Sequence, residues 1–231
     1  MAFQGYTQET VDFMWGIRFN NERGWFLEHK DDYINTFLTP TRELGEQVYD
    51  AVHALLPDEP LMLKVSRIYR DARRLFGRGP YKDHLWWCIR TGDKDWTGHP
   101  TFWFELGPDY YSFGLGFWSP AAALMETYRK QIDAHPEELS KLVRQFNRQS
   151  VFTLDGPEYA RSKGQTSDLL RSWYQKKSLS LRWEGPLDER IFTSALAEDI
   201  IAGFKTLIPF YHYFNKLVAL TPRQERRGEE A

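Results

Sequence analysis

The chain has 231 residues, 42% of them apolar and 16% aromatic, with nine tryptophans. That composition excludes a disordered polypeptide and fits one large domain or two small ones. A formal net charge of −2 argues against a protein that binds nucleic acid or membrane with its whole surface, though not against a local patch. The single cysteine, Cys88, permits no internal disulfide and suits a reducing cytosol. It sits in Leu-Trp-Trp-Cys-Ile, where a small buried hydrophobe is expected in place of a nucleophile. No leader-like apolar region follows the start and no run approaches the ~20 apolar residues a bilayer requires, so the expectation is a cytoplasmic protein with no membrane partner.

Thr7 caps a first predicted helix that carries Val11, Met14, Trp15 and Arg18. Asn20-Asn21 interrupts it and caps a second, with Phe26, Lys30, Tyr33 and Phe37 on one face. Thr39-Pro40 predicts a break, and a third helix follows from Thr41 with Leu44, Val48, Val52 and Leu55 as its stripe, until Pro57. After Pro60 the period shortens to two, and Leu61, Leu63 and Val65 alternate with Met62, Lys64 and Ser66 as a strand. His84–Arg90 reads as a second strand. Thr101–Leu106 and Tyr110–Leu115 flank Gly107-Pro108-Asp109 as a hairpin, and Gly114 and Gly116 there signal a bulge or a close backbone approach.

Ser119-Pro120 and His135-Pro136 each open a helix. Val151–Leu154 is a candidate strand, Asp168–Lys176 a short helix and Leu179–Trp183 a further strand. A final apolar helix spans about Asp188 to Leu217, with Pro209 expected to kink it. The predicted class is α+β: one domain over residues 1–220, a mainly antiparallel sheet packed by N-terminal, central and C-terminal helices. A charged tail over 221–231 is predicted to be disordered.

Between Lys64 and Asp83 stand seven basic and two acidic residues, a local charge of +5 in a chain of net −2. Such an excess points to an anionic ligand. Arg67, Arg70, Arg73, Arg78 and Lys82 are the candidate contacts. Arginine forks hold phosphate or carboxylate in bidentate fashion, Gly77 and Gly79 allow close backbone approach, and Tyr81 with Asp71 would orient the set. Continued alternation from the strand would place Arg67, Tyr69, Asp71 and Arg73 on the Leu/Val side, and Ile68 and Arg70 on the other. That division assigns Arg67 and Asp71 to structure and Arg70, Arg78 and Lys82 to binding.

No phosphate loop, dinucleotide fingerprint, HExxH, CxxC pair or Gly-x-Ser-x-Gly occurs, so neither a metal nor a cofactor is expected and the class of any catalysis stays undefined. His84 and Asp71 are the weak candidates for a proton carrier. Trp86-Trp87, Trp103, Trp118 and Trp183, together with Trp96, are candidates for stacking bases, with core packing as the plainer role for most tryptophans.

The run Arg67-Ile-Tyr-Arg70-Asp71-Ala-Arg73-Arg74-Leu-Phe-Gly-Arg78-Gly-Pro80-Tyr81 resembles the RxxRDxRFxxxKxPY signature of a bacterial family of uncharacterised proteins, the domain of unknown function 2461 family. Arg74 replaces the signature Phe, and Arg78 its Lys. Similarity extends to Asn20-Asn21, Trp25-Phe26, Tyr33, Tyr110-Tyr111, Asp168-Leu-Leu and Lys177-Ser-Leu. The resemblance implies a single domain and brings no activity. Three functional expectations follow. The first is a binder of a small phosphorylated or carboxylated molecule. The second is a structural or interaction domain whose Arg/Asp motif is an internal salt-bridge network. The third, less favoured, is a nucleic-acid binder.

Overall fold

The structure is a computed structural model and describes residues 2–222. The tail predicted to be disordered lies, over residues 223–231, outside the described residues. Helix α1 (Gln8–Phe19) leads into a nearly continuous helical stretch made of α2 (Arg23–Glu28), α3 (Lys30–Asp32), a π-helical segment over Tyr33–Leu38 and α4 (Thr39–Leu55). The break expected at Thr39-Pro40 does not occur. Pro40 lies in the first turn of α4, just after the wider π segment, and the Thr41 hydroxyl donates to the Phe37 carbonyl at 2.6 Å across this junction.

Six strands form one antiparallel sheet: β1 (Leu61–Val65), β2 (Leu85–Thr91), β3 (Pro100–Leu106), β4 (Tyr110–Phe117), β5 (Thr153–Asp155) and β6 (Ser180–Pro186), in the order β1-β2-β3-β4-β6-β5. The expected strand at residues 151–154 appears as β5. Helices α5 (Ala122–Ala134) and α6 (Pro136–Phe146) link β4 to β5. The short α7 (Arg171–Tyr174) precedes β6, and α8 (Ala195–Leu220) ends the described chain. Helix α8 starts later than the predicted Asp188, because Asp188 instead caps a 3-10 turn over Glu189–Phe192 by accepting the Arg190 N–H; α8 continues through Pro209. The class predicted from the sequence, α+β with helices packed on an antiparallel sheet, is the observed one. No helix among the described residues is long and apolar enough to cross a membrane.

Strand alternation sends Leu63, Trp87, Phe102, Phe104, Phe113 and Leu181 to one face, where α4 and α8 cover them. Phe204 of α8 packs 4.8 Å from Phe102 and 6.1 Å from Phe113, ring centre to ring centre, and meets Trp87 edge-on. All four rings are buried and belong to one continuous apolar core. The opposite face carries Trp86, Cys88 and Arg90 on β2, Thr101, Trp103 and Glu105 on β3, Ser112, Gly114 and Gly116 on β4, and Ser180, Arg182 and Glu184 on β6.

Candidate functional site

That second face holds a cleft of about 270 Å³, lined by strand residues, the 3-10 turn Trp96–Gly98 and the indole of Trp118. Its floor is shaped by Gly114 and Gly116. A Cβ at Gly114 would stand 2.1 Å from the Leu181 carbonyl oxygen, and one at Gly116 would stand 2.5 Å from that of Leu179. The close approach anticipated for these glycines is therefore to β6. Without side chains there, a trough opens between Trp103 on β3 and Arg182 on β6.

Aromatic rings wall the trough. The Trp118 ring centre lies 6.3 Å from Trp86 and 6.4 Å from Trp96, and Trp118 is 71% exposed. The Arg90 guanidinium sits 4.6 Å over Trp96, and that of Arg182 stands 5.8 Å from the Trp103 ring centre. Arg182 also pairs with Glu184 and, at 3.5 Å, with Asp155. Tyr110 donates its hydroxyl hydrogen to Glu105, and burial, then this carboxylate, pushes the phenol's pKa up. Cys88 lies in the floor, where burial raises its thiol to about 11, so it is a poor nucleophile, as its sequence context suggested.

Three buried polar atoms on this face have no hydrogen-bond partner: Arg90 Nε, Ser112 Oγ and Arg182 Nε. Ser112 and Arg182 line the cleft itself. A buried polar atom left unpaired costs about 1–3 kcal/mol, so such atoms gathered around one cleft are a feature of the site.

The basic run adjoins the trough. After Val65 the chain leaves the sheet edge, with Ser66 N–H on the Trp86 carbonyl and Trp86 N–H on the Ser66 hydroxyl. It then doubles back on itself: Arg70 N–H bonds the Pro80 carbonyl, Lys82 N–H bonds the Ile68 carbonyl, and Tyr69 faces Tyr81 across an isolated bridge. Phe76 (φ 46°) and Gly77 (φ 79°) turn the chain. Asn21 clamps this hairpin, since its side-chain amide accepts from Tyr81 N–H at 2.9 Å and donates to Tyr81 C=O at 3.0 Å. Gly79 is needed there, because a Cβ would meet the Asn21 amide oxygen at 2.2 Å.

The departure from the sheet overturns the expected division of faces. Ile68 is buried while Arg67 and Tyr69 are exposed, so the alternation of β1 does not continue into the run. Asp71 caps the turn Ala72–Arg74 and holds the exposed Arg73 at 2.8 Å. Tyr81 is buried against Phe26, 4.3 Å away, and against Tyr69. Arg70 Nε donates to the Tyr81 carbonyl at 2.7 Å, and Arg78 Nε makes a long contact, 3.4 Å, with the Leu75 carbonyl. Lys82 is half-buried, with its ammonium 5.6 Å over the Trp86 ring. Burial first, then the charges of Arg70 and Arg67, push its pKa below that of an ordinary lysine. Arg67, Arg70 and Lys82 are thus brought near one another at the Trp86 end of the trough, Arg78 acts electrostatically on Arg70, and Arg73 is engaged elsewhere.

Sequence reasoning missed the residue that organises this end. Asp83 accepts from Arg18 Nε at 2.7 Å and from His84 Nδ1 at 2.9 Å, and lies 3.9 Å from Arg70. Arg18 also bonds Asp109 in the β3–β4 turn, so Asp83 ties α1, the basic hairpin and the sheet together. The His84 bond, joined by that of Arg18 and opposed by burial, holds the Asp83 carboxyl well below the usual carboxylate range. Alternation through Trp86-Trp87 does signal that one indole of the pair must leave the core, but partners as distant in sequence as Arg18 and Asp109 leave no local trace.

Among the described residues, no group of three His, Cys, Asp or Glu is arranged to hold a metal ion. Comparison with curated proteins returned no match. The family described as "Conserved hypothetical protein (DUF2461)" matches residues 9–213, and the chain belongs to that family.

Proposed function

We propose that this protein binds a small ligand that combines a flat aromatic group with a phosphate or carboxylate, in the cytosolic setting suggested by its lone cysteine. The flat group stacks in the trough among Trp86, Trp103 and Trp118. The anionic group lies at the Trp86 end against Lys82, with Arg67, Arg70 and Arg78 around it. The observation that carries the reading is the Lys82 ammonium above Trp86, which joins the cationic run to the aromatic cleft. Further support comes from the unpaired Ser112 Oγ and Arg182 Nε, which a ligand's polar edge would satisfy. Cations beside rings in a concave, partly apolar site are the usual means of holding such molecules. A volume of about 270 Å³ suits a single small molecule better than a nucleic-acid strand.

A thermal-shift screen of nucleoside monophosphates and aromatic carboxylic acids tests this. A ligand at a hundred times its Kd adds about 2.7 kcal/mol, or about 5–10 °C in a chain of this size. The wild type should respond to at least one compound, and Lys82→Ala should lose most of the shift. No response across the panel, or an undiminished shift in Lys82→Ala, contradicts the proposal.

One observation favours an added role for His84. The Asp83 carboxylate accepts the Nδ1 hydrogen, which fixes the tautomer and leaves Nε2 as a base beside the anionic end. Asp71, on its exposed turn with Arg73, is less suited to that task. A ligand found by the screen and incubated with wild type and His84→Gln decides it: turnover by the wild type alone supports the role, and an unchanged ligand with both removes it.

A further inference from the structure

A second group of cations, none of which lines the trough, surrounds Tyr159 in the segment after β5. The Lys163 ammonium stands 4.3 Å from the ring centre, the Arg129 guanidinium 5.2 Å and the Lys177 ammonium 5.5 Å. Three positive charges at one phenol ring repel one another, and a ring quadrupole offsets only part of that at a solvent-accessible site.

The nearby carboxylates are engaged by other groups. Glu158 pairs with Lys176 at 3.0 Å, and Asp133 accepts the Tyr174 hydroxyl at 3.1 Å. Among the described residues, none of the three cations forms an ion pair with a carboxylate within 4 Å. In addition, Arg129 Nη1 is buried without a hydrogen-bond partner, so a guanidinium donor inside the cluster is unsatisfied.

The backbone around the cluster is fixed by bonds that involve no ligand. Tyr159 N–H donates to the Gln175 carbonyl at 3.0 Å, and Lys177 N–H donates to the Pro157 carbonyl at 2.7 Å. The Gln175 side chain accepts from Lys163 N–H at 3.2 Å and donates to Ser162 Oγ at 3.2 Å. Two stretches of loop are thereby held so that Lys163 and Lys177 meet at the ring that Arg129 of α5 also reaches.

We propose that Arg129, Lys163 and Lys177, gathered on Tyr159, form a second anion site, separate from the trough, that takes the phosphoryl group of a small molecule. A dianion placed among the three turns their mutual repulsion into attraction and gives Arg129 the acceptor it lacks. A phosphoryl group has the charge and the several acceptor oxygens that such a set requires.

Inorganic pyrophosphate, titrated calorimetrically at low salt, is the probe, with Lys163→Gln and Lys177→Gln as variants. Both lysines are exposed, so folding is not at risk, and Lys82→Gln reports on the trough. The expected result is binding by the wild type that weakens about three- to tenfold in each Tyr159-site variant. Absence of binding at millimolar pyrophosphate overturns the proposal. So does affinity that falls in Lys82→Gln and stays intact in the other two, a result that would place the anion at the trough and leave the proposal made for that cleft standing.

Discussion

The two faces of the sheet are built from similar residues and do different things. Both carry tryptophans: Trp87 and Trp183 point toward the helices, and Trp86 and Trp103 point away. On the covered face ring packs on ring: Phe204 and Tyr211 of α8 close over Phe102, and Phe204 also meets Phe113. On the open face the same kind of ring is interleaved with arginine, glutamate, serine and glycine, and the unpaired Ser112 and Arg182 border a cleft, whereas the unpaired Trp87 indole N–H of the covered face is enclosed in the core. Apolar surface by itself therefore does not separate core from site in this chain. The separation lies in what stands between the rings.

The comparison is broken most forcefully from the covered side. Phe204→Ala removes the ring that meets Trp87, Phe102 and Phe113 at once, and should cost about 3–5 kcal/mol in urea unfolding. A loss below about 1 kcal/mol would mean that the core does not depend on α8.

Next in size is the junction between the faces. Asp83→Asn should cost about 2 kcal/mol, less than for a fully buried pair because Arg18 and Asp83 both retain some exposure. The Asp83 pKa is depressed in the folded protein, so its contribution is present above the unfolded value near 3.9 and fades as pH falls below that. Wild-type stability should accordingly decline below about pH 4 with a component missing from Asp83→Asn. Parallel pH profiles for the two proteins would refute the part assigned to this carboxylate.

A smaller effect concerns Cys88. With its thiol raised to about 11, modification by a thiol reagent at pH 7 should be far slower in the folded protein than in urea. Equal rates would show that the trough floor is more open than its packing indicates.

Much of the fold was legible. The change of period after Pro60, the turn at Gly107-Pro108-Asp109 and the Pro-opened α6 each rest on local backbone chemistry, which a sequence displays. Pro40 misled because its effect depends on the turn around it, and the π segment at Tyr33–Leu38 gives it room within a helical path. The site was less legible. The sequence marks Arg67–Lys82 by charge, yet charge does not reveal that the chain leaves the sheet after Val65, and every face assignment beyond that residue shifted with it. In Leu-Trp-Trp-Cys-Ile both faces of β2 read as apolar, so nothing local says which one the helices cover. Asp83 drew no notice because its role is made by Arg18 and Asp109, from 65 positions before it and from the far hairpin.

The central claim is that the open face holds a ligand and the covered face holds the fold. Trp103→Ala tests it most directly, by unfolding and by calorimetric titration of a compound that stabilises the wild type. The account predicts a stability within about 1 kcal/mol of wild type and an affinity at least about tenfold weaker, since the ring lines the cleft and is only partly buried. A variant that binds as the wild type does, or one destabilised as severely as Phe204→Ala, would contradict it.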